Sequence, residues 1–287
     1  MLATTYDDLE SWIHTLSKIE KGSSFASPRF LKPYHLASLA NKLRMIEAKN
    51  LTLPAKITSY ARTMKLWDIL DLETPVETNI GHPSGSYHPL VLLNNSNMID
   101  ITAANLLTFF RAVCTDDVTL NAVDTMLKEL IDNCYSHSAV EDEKYGLICA
   151  QVWRAGNKAQ ITISDTGVGI RNSLSENVDY IETLKTTNSC EFATNYGVTS
   201  KPGKGHAGYG LAVARGLIQQ NHGTLFVRSG NECFQLHEGE CNSFHTDNHL
   251  DGTLIVIEWN LNVQMDISAL YREWPQIEGM NDDDFDF

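Results

Sequence analysis

The chain is short of basic charge. Across 287 residues it carries 22 Lys and Arg against 36 Asp and Glu, a formal net charge of −14. That balance excludes a polyanion-binding role as the main task, because proteins that grip nucleic-acid phosphates show a basic face. Long apolar runs are also missing, so no stretch reads as a membrane span. The N-terminal "MLATTYDDLESW" is acidic, unlike a signal peptide, and a cytoplasmic setting is expected. Cysteine pairs are absent. Cys114, Cys134, Cys149, Cys190, Cys233 and Cys241 are scattered with no Cys-x-x-Cys, which suits reduced, buried thiols rather than a disulfide framework. There is no internal repeat.

What is present is glycine in one place. "KPGKGHAGYGLAVARGL", Lys201 to Leu217, puts four glycines within eight residues. Gly203-x-Gly205-x-x-Gly208 matches a dinucleotide fingerprint on paper, but no strand feeds it and Arg228 stands where an acidic residue is wanted. A phosphate loop of the Gly-x-x-x-x-Gly-Lys-Ser/Thr type fails at Val198 and Gly205, and no protein-kinase signature follows. After the glycines, Leu211, Ala214, Leu217, Ile218 and Asn221 recur at helical spacing up to Gly223, and "TLFVRS" reads as a strand. The run therefore opens a helix at the end that attracts anions, or is a flexible loop before a core helix.

Along the chain, residues 24–95 read as a small α/β unit. Helices are expected over "PYHLASLANKLRMIEAKN" and "SYARTMKLWDILDL", with strands at "LTLP" and "YHPLVLLNN". Consecutive helices follow from Met98, the second with a core stripe of Val123, Met126, Leu127, Leu130, Ile131 and Cys134. "GLICAQVWRAGNKAQITISD" reads as a hairpin turning at Gly156-Asn157. Residues 171–210 lack regular pattern and suit a lid. "GNECFQLHEGECNSFHTDNHLDG" reads as an extended hairpin, and "GTLIVIEWNL" as a closing buried strand.

Glu129, Asn133 and His137 fall at i, i+4 and i+8, along a stripe of one helix apart from its apolar face. A carboxylate one turn from a carboxamide suits water activation and Mg²⁺, although a polar helix face looks the same. Asp165-x-Gly167-x-Gly169 ends a strand, where a carboxylate can accept from an exocyclic amine and glycines permit a tight turn. Gly252-Thr253 opens the last strand.

Taken in order, "ELIDNCYSHS", "DTGVG", "GKGHAGYGL" and a late "GT" resemble the GHKL ATPase superfamily, which includes gyrase, Hsp90, MutL, histidine kinases and anti-sigma serine kinases. The match spans residues 115–260, about half the chain. The resemblance implies an α+β class, a two-layer α/β sandwich of the Bergerat ATP-binding type, preceded by a smaller α/β domain. The expected divisions are 1–97, 98–262 and an acidic tail, 263–287. It also implies ATP and Mg²⁺ as ligands. Asn133 would hold Mg²⁺, and Glu129 would be the general base for water or a protein hydroxyl. Asp165 would take the adenine amine, with Thr253 supporting it. Gly167, Gly169 and Ile170 would shape the adenine pocket. Gly203, Gly205, His206, Gly208, Tyr209, Gly210 and Leu211 would bring backbone to the phosphates. Lys201 and Lys204 would reach phosphate from the lid or stay in solvent. His137 matches a histidine position of anti-sigma-type kinases, or simply packs at the helix end.

Residues 25–70 also resemble, loosely, the STAS-like regions that accompany such ATPases. A sensor histidine kinase is disfavoured, since Pro54, Pro75, Pro83 and Pro89 break the segment after His35 where a helical hairpin would be needed. Three functions follow as expectations: an ATPase or ATP-driven switch acting on a protein partner or as a homodimer, a serine/threonine kinase of the anti-sigma type acting on a STAS-like partner, or a nucleotide-gated binding module. Neither nucleic acid nor membrane is expected as a partner. Cys233, His237, Cys241, His245 and His249 recur every four residues and would line a Zn²⁺-binding face on a helix, but Gly239 and Asn242 favour a plain surface hairpin.

Overall fold

The computed structural model describes residues 3–20, 28, 30–75, 85–137, 146–201 and 208–275. The N-terminal part is helical: α1 (Tyr6–Ser17), α2 (Pro33–Met45), α3 (Ala55–Thr63) and α4 (Leu66–Ile69). A capping box starts α1, with Thr5 Oγ1 accepting from Asp8 N–H and Asp8 returning the bond to Thr5 N–H. Leu9, Trp12, Ile13 and Leu16 form its buried stripe. In α2, Pro33 occupies the first turn, where its missing N–H costs nothing. His35 accepts from Lys32 N–H at 2.9 Å, and burial together with the Lys32 charge drives its pKa down to about 3. Buried and neutral, this imidazole serves as a packing group.

The strand expected at Leu51–Pro54 does not form. Pro54 lacks an N–H for a ladder and instead precedes the first turn of α3, while Leu53 turns into the core. Among the described residues 3–75 there is no strand. The next element, β1 (Tyr87–Leu93), is followed by α5 (Ile99–Arg111), α6 (Asp117–His137), β2 (Gly146–Trp153) and β3 (Lys158–Asp165). The β2–β3 hairpin turns where expected, with Asn157 in the left-handed region at φ 49°. Three short helices follow, α7 (Ile170–Leu174), α8 (Ile181–Leu184) and α9 (Ser189–Phe192). The chain ends in α10 (Gly210–Gln220), β4 (Thr224–His237), β5 (Glu240–Asn260) and α11 (Ile267–Glu273).

The five strands among the described residues form one antiparallel sheet in the order β1-β2-β3-β5-β4. Side-chain alternation divides it cleanly. Ile148, Ala150, Ile161, Ile163, Ile255 and Ile257 point to a core shared with α5, α6, α10 and α11. That is the expected two-layer sandwich. Leu147, Cys149, Phe226, Leu254 and Val256 point the other way, into a core shared with α1 to α4. The N-terminal helices thus contribute no sheet of their own, and their apolar faces are buried on the back of the common one. The division expected at residue 97 falls between β1, the edge strand of that sheet, and α5.

Polar groups lock this third layer in place. Glu258, buried on the back face, accepts from Thr4 N–H at 3.0 Å and from Gln160 at 2.6 Å, with Lys32 Nζ 3.6 Å away. A buried carboxylate needs such partners to remain charged. Residues 263–275, expected as tail, contain α11; the acidic run 281–287 lies outside the described residues. No helix among the described residues is long and apolar enough to cross a membrane.

Candidate functional site

The front face of the sheet gathers the polar residues of the four motifs. Alternation along β3 and β5 turns Asp165 and Thr253 toward α6, and the two residues are directly paired across the ladder. Gly167 N–H donates to Asp165 Oδ1 at 2.8 Å. Burial pushes the Asp165 carboxyl up to about 6, against the opposing pull of that bond and of Thr253's hydroxyl and backbone. The result is a carboxylate sited at a strand end with most of its water removed.

Gly252 makes this corner. Its φ is +73°, and a Cβ there would lie 2.2 Å from the Asp165 carbonyl oxygen, so β5 approaches β3 closely only because the residue is glycine. Ser229 ties the corner to the next turn. Its hydroxyl donates to Gly252 O at 2.7 Å and accepts from Ile170 N–H at 3.0 Å. Ile170 and Gly169 are therefore held beside the Asp165 turn. Sequence reasoning missed Ser229, a serine within a strand that carries no motif of its own.

Glu129 and Asn133 lie one turn apart on α6, both part-exposed. Asp116 starts that helix by accepting from Thr119 N–H at 3.2 Å. The start of α10 packs directly on the pair. A Cβ on Gly210 would fall 2.6 Å from Asn133 Nδ2 and 3.2 Å from Glu129 Oε2. Any larger residue would displace the carboxamide. The unpaired N–H groups at the start of α10, the carboxylate and the carboxamide thus converge on one place. Cys134, next to Asn133, packs against the Gly146–Asp165 pair, so the two halves of the site share α6.

The glycine run divides. Gly203, Gly205 and His206, with Lys204, lie outside the described residues. Gly208 adopts φ +76° against Val198, and its carbonyl accepts from Gly197 N–H at 3.2 Å. Tyr209 precedes α10, and Leu211 packs against the front core. Lys201 does not extend into solvent: its Nζ donates to the Ser136 carbonyl, at the end of α6. His137 is the last residue of α6, and its side chain lies outside the described residues.

The stretch 171–200, expected to be irregular, is anchored. Arg171 pairs with Glu232 of β4, with Nε at 2.9 Å, and Ser189 N–H donates to the same carboxylate at 3.2 Å. Burial alone would raise Glu232, but Arg171 and Ser189 outweigh it and hold the carboxyl below its ordinary value. The five-residue Cys/His series is dispersed along the β4–β5 hairpin. His237 bonds Thr224, His249 bonds Asn231, and Cys233 is buried while Cys241 is exposed. No metal-holding cluster of His, Cys, Asp or Glu exists among the described residues. On strands the period of four spreads these side chains over some 13 Å per step.

Set against known protein families, residues 119–260 match the Histidine kinase-, DNA gyrase B-, and HSP90-like ATPase family. No curated protein matches the chain.

Proposed function

Because residues 119–260 form a domain of the histidine kinase-, DNA gyrase B- and HSP90-like ATPase family, an ATP-binding fold, we propose that this chain binds ATP with Mg²⁺ between α6, the Asp165 corner and the start of α10, and turns it over to switch its state toward a protein partner. The observation that carries this reading is the contact of Gly210 with both Glu129 and Asn133. It brings a helix N-terminus, which favours phosphate, onto a carboxylate and a carboxamide.

The donor set fits Mg²⁺. That ion keeps several waters and phosphate oxygens and asks for only one or two protein oxygens, and the part-exposed Asn133 carboxamide, one turn from Glu129 on α6, offers one. Asn133 would hold it, and the ion would neutralise phosphate charge. Asp165 would accept from the adenine amine, its carboxylate already oriented by Gly167 and Thr253. The α10 amides would stabilise charge developing on the terminal phosphate. Glu129 would take the proton from the attacking hydroxyl, of water in an ATPase or of a serine or threonine in a kinase.

Titration calorimetry of the full chain with ATP, with and without Mg²⁺, tests the binding. Glu129→Ala should keep binding and lose turnover by about 10²-fold or more. A mutant that hydrolyses ATP as the wild type does would end the general-base assignment.

A further inference from the structure

The helix α11 lies beyond the family-matched segment, yet it is fixed to both helices that carry the site. At its start, Met265 N–H donates to Thr119 Oγ1 at 3.1 Å and Gln264 Nε2 reaches Asp116 at 3.1 Å, both at the beginning of α6. Gln220, at the end of α10, accepts from Asp266 N–H at 2.8 Å and donates to its carbonyl at 3.1 Å. Midway, Leu270 fills the space over Gly216, where a Cβ would come within 2.4 Å of it. At its end, Trp274 meets the ring of Tyr209 at 5.4 Å, one residue before Gly210. So α11 runs antiparallel along the whole length of α10 and along α6 from its first turn.

Aromatic rings cluster at that end. Tyr196, from the chain preceding the glycine run, stacks on Tyr209 at 5.0 Å and also packs on Trp274 at 4.7 Å. Their hydroxyls lie 3.3 Å apart. Trp274 therefore holds together the two strands of chain that flank the glycine run. Tyr271, half-buried against the front core, has its ring 5.2 Å from that of Trp274. Burial and, after it, the Glu129 charge push its hydroxyl up to about 12.

Resting on the ATP-turnover reading, we infer that α11 is a positioning element of the catalytic site, with Trp274 holding the start of α10 through Tyr209. Trp274 need not touch the nucleotide. Its action would be on the rate of the chemical step, not on the affinity for ATP.

The test uses the full chain with Trp274→Ala and Trp274→Phe, each measured for ATP binding, kcat, KM and melting temperature. Trp274→Ala should lower kcat about tenfold with KM and Kd held within about threefold. Trp274→Phe should recover most of the rate, since an aromatic ring there restores the contact with Tyr209. Variants that turn over as an active wild type does would overturn the inference alone. Equal losses in both Trp274 variants, tracking a fall in melting temperature, would also overturn it. A wild type that binds no ATP would remove the nucleotide reading itself, and one that binds without turnover would remove the hydrolytic reading and this inference together.

Discussion

Arg228 on β4 is fully buried, and its Nε meets Glu10 of α1 at 2.7 Å across 218 residues of chain. Its Nη1 donates to the carbonyls of Gly230 and Glu232, and its Nη2 to that of Asn248. Those carbonyls are free for it because the β4–β5 register slips between Ser229 and Glu232. The cation fills the bulge from behind, and the N-terminal helix supplies its counter-charge.

A buried cation stripped of its carboxylate partner is costly. Glu10→Ala should therefore destabilise the whole molecule by about 3 kcal/mol, read as a lower urea midpoint with one cooperative transition. A loss below about 0.5 kcal/mol, or a separate early transition for the N-terminal helices, would show that α1 is only loosely attached to the sheet.

The same pair marks the limit of what the sequence discloses. Periodicity and turn chemistry located β2, β3, the last strand and the helices α6 and α10, since each encodes its own pattern within 10 to 20 residues. The four ordered motifs named Glu129, Asn133, Asp165 and Thr253 before any coordinates. By contrast, Arg228 read only as a missing acid, because its partner lies on α1. The apolar faces of α1 and α2 announce burial without saying against what; their partner is the back of the common sheet, not a strand at residues 51–54. Tyr271 and Trp274 were absorbed into an expected acidic tail, although Leu270 and Tyr271 continue a helical face begun at Ile267.

Gly210 offers a separation of function from stability. Alanine is the better helix former, so Gly210→Ala in the first turn of α10 carries little backbone penalty. Its methyl group must nevertheless move the Asn133 carboxamide, 2.6 Å away, and crowd Glu129. Melting temperature should stay within about 3 °C, while Mg-ATP affinity falls about tenfold. Calorimetry alongside thermal unfolding checks both, and unchanged affinity would mean that Asn133 does not serve the nucleotide from its observed position.

Asp165 should show the opposite trade. Its folded pKa of about 6 stands above the ordinary 3.8, the effect of burial exceeding the bonds from Gly167 and Thr253. Between those values the folded state holds the proton more tightly than the unfolded chain, so the stability this group contributes is full below pH 3.8 and is lost as pH rises through 6. At pH 7.5 the ionised carboxylate is kept at a cost. Asp165→Asn keeps an acceptor for Gly167 N–H and removes the charge, and it should raise the melting temperature at pH 7.5 with no gain at pH 4. Yet an amide turned toward the adenine amine offers a donor where an acceptor is needed, and ATP binding at pH 7.5 should weaken by about tenfold or more. Wild-type affinity should also decline on acidification from pH 7 to pH 5 more steeply than that of the mutant, which shares any protonation of the phosphates but has no carboxyl to titrate. A mutant that melts lower at both pH values would mean that the Asp165 charge is structural. A parallel decline in wild type and mutant would mean that the group does not read the base.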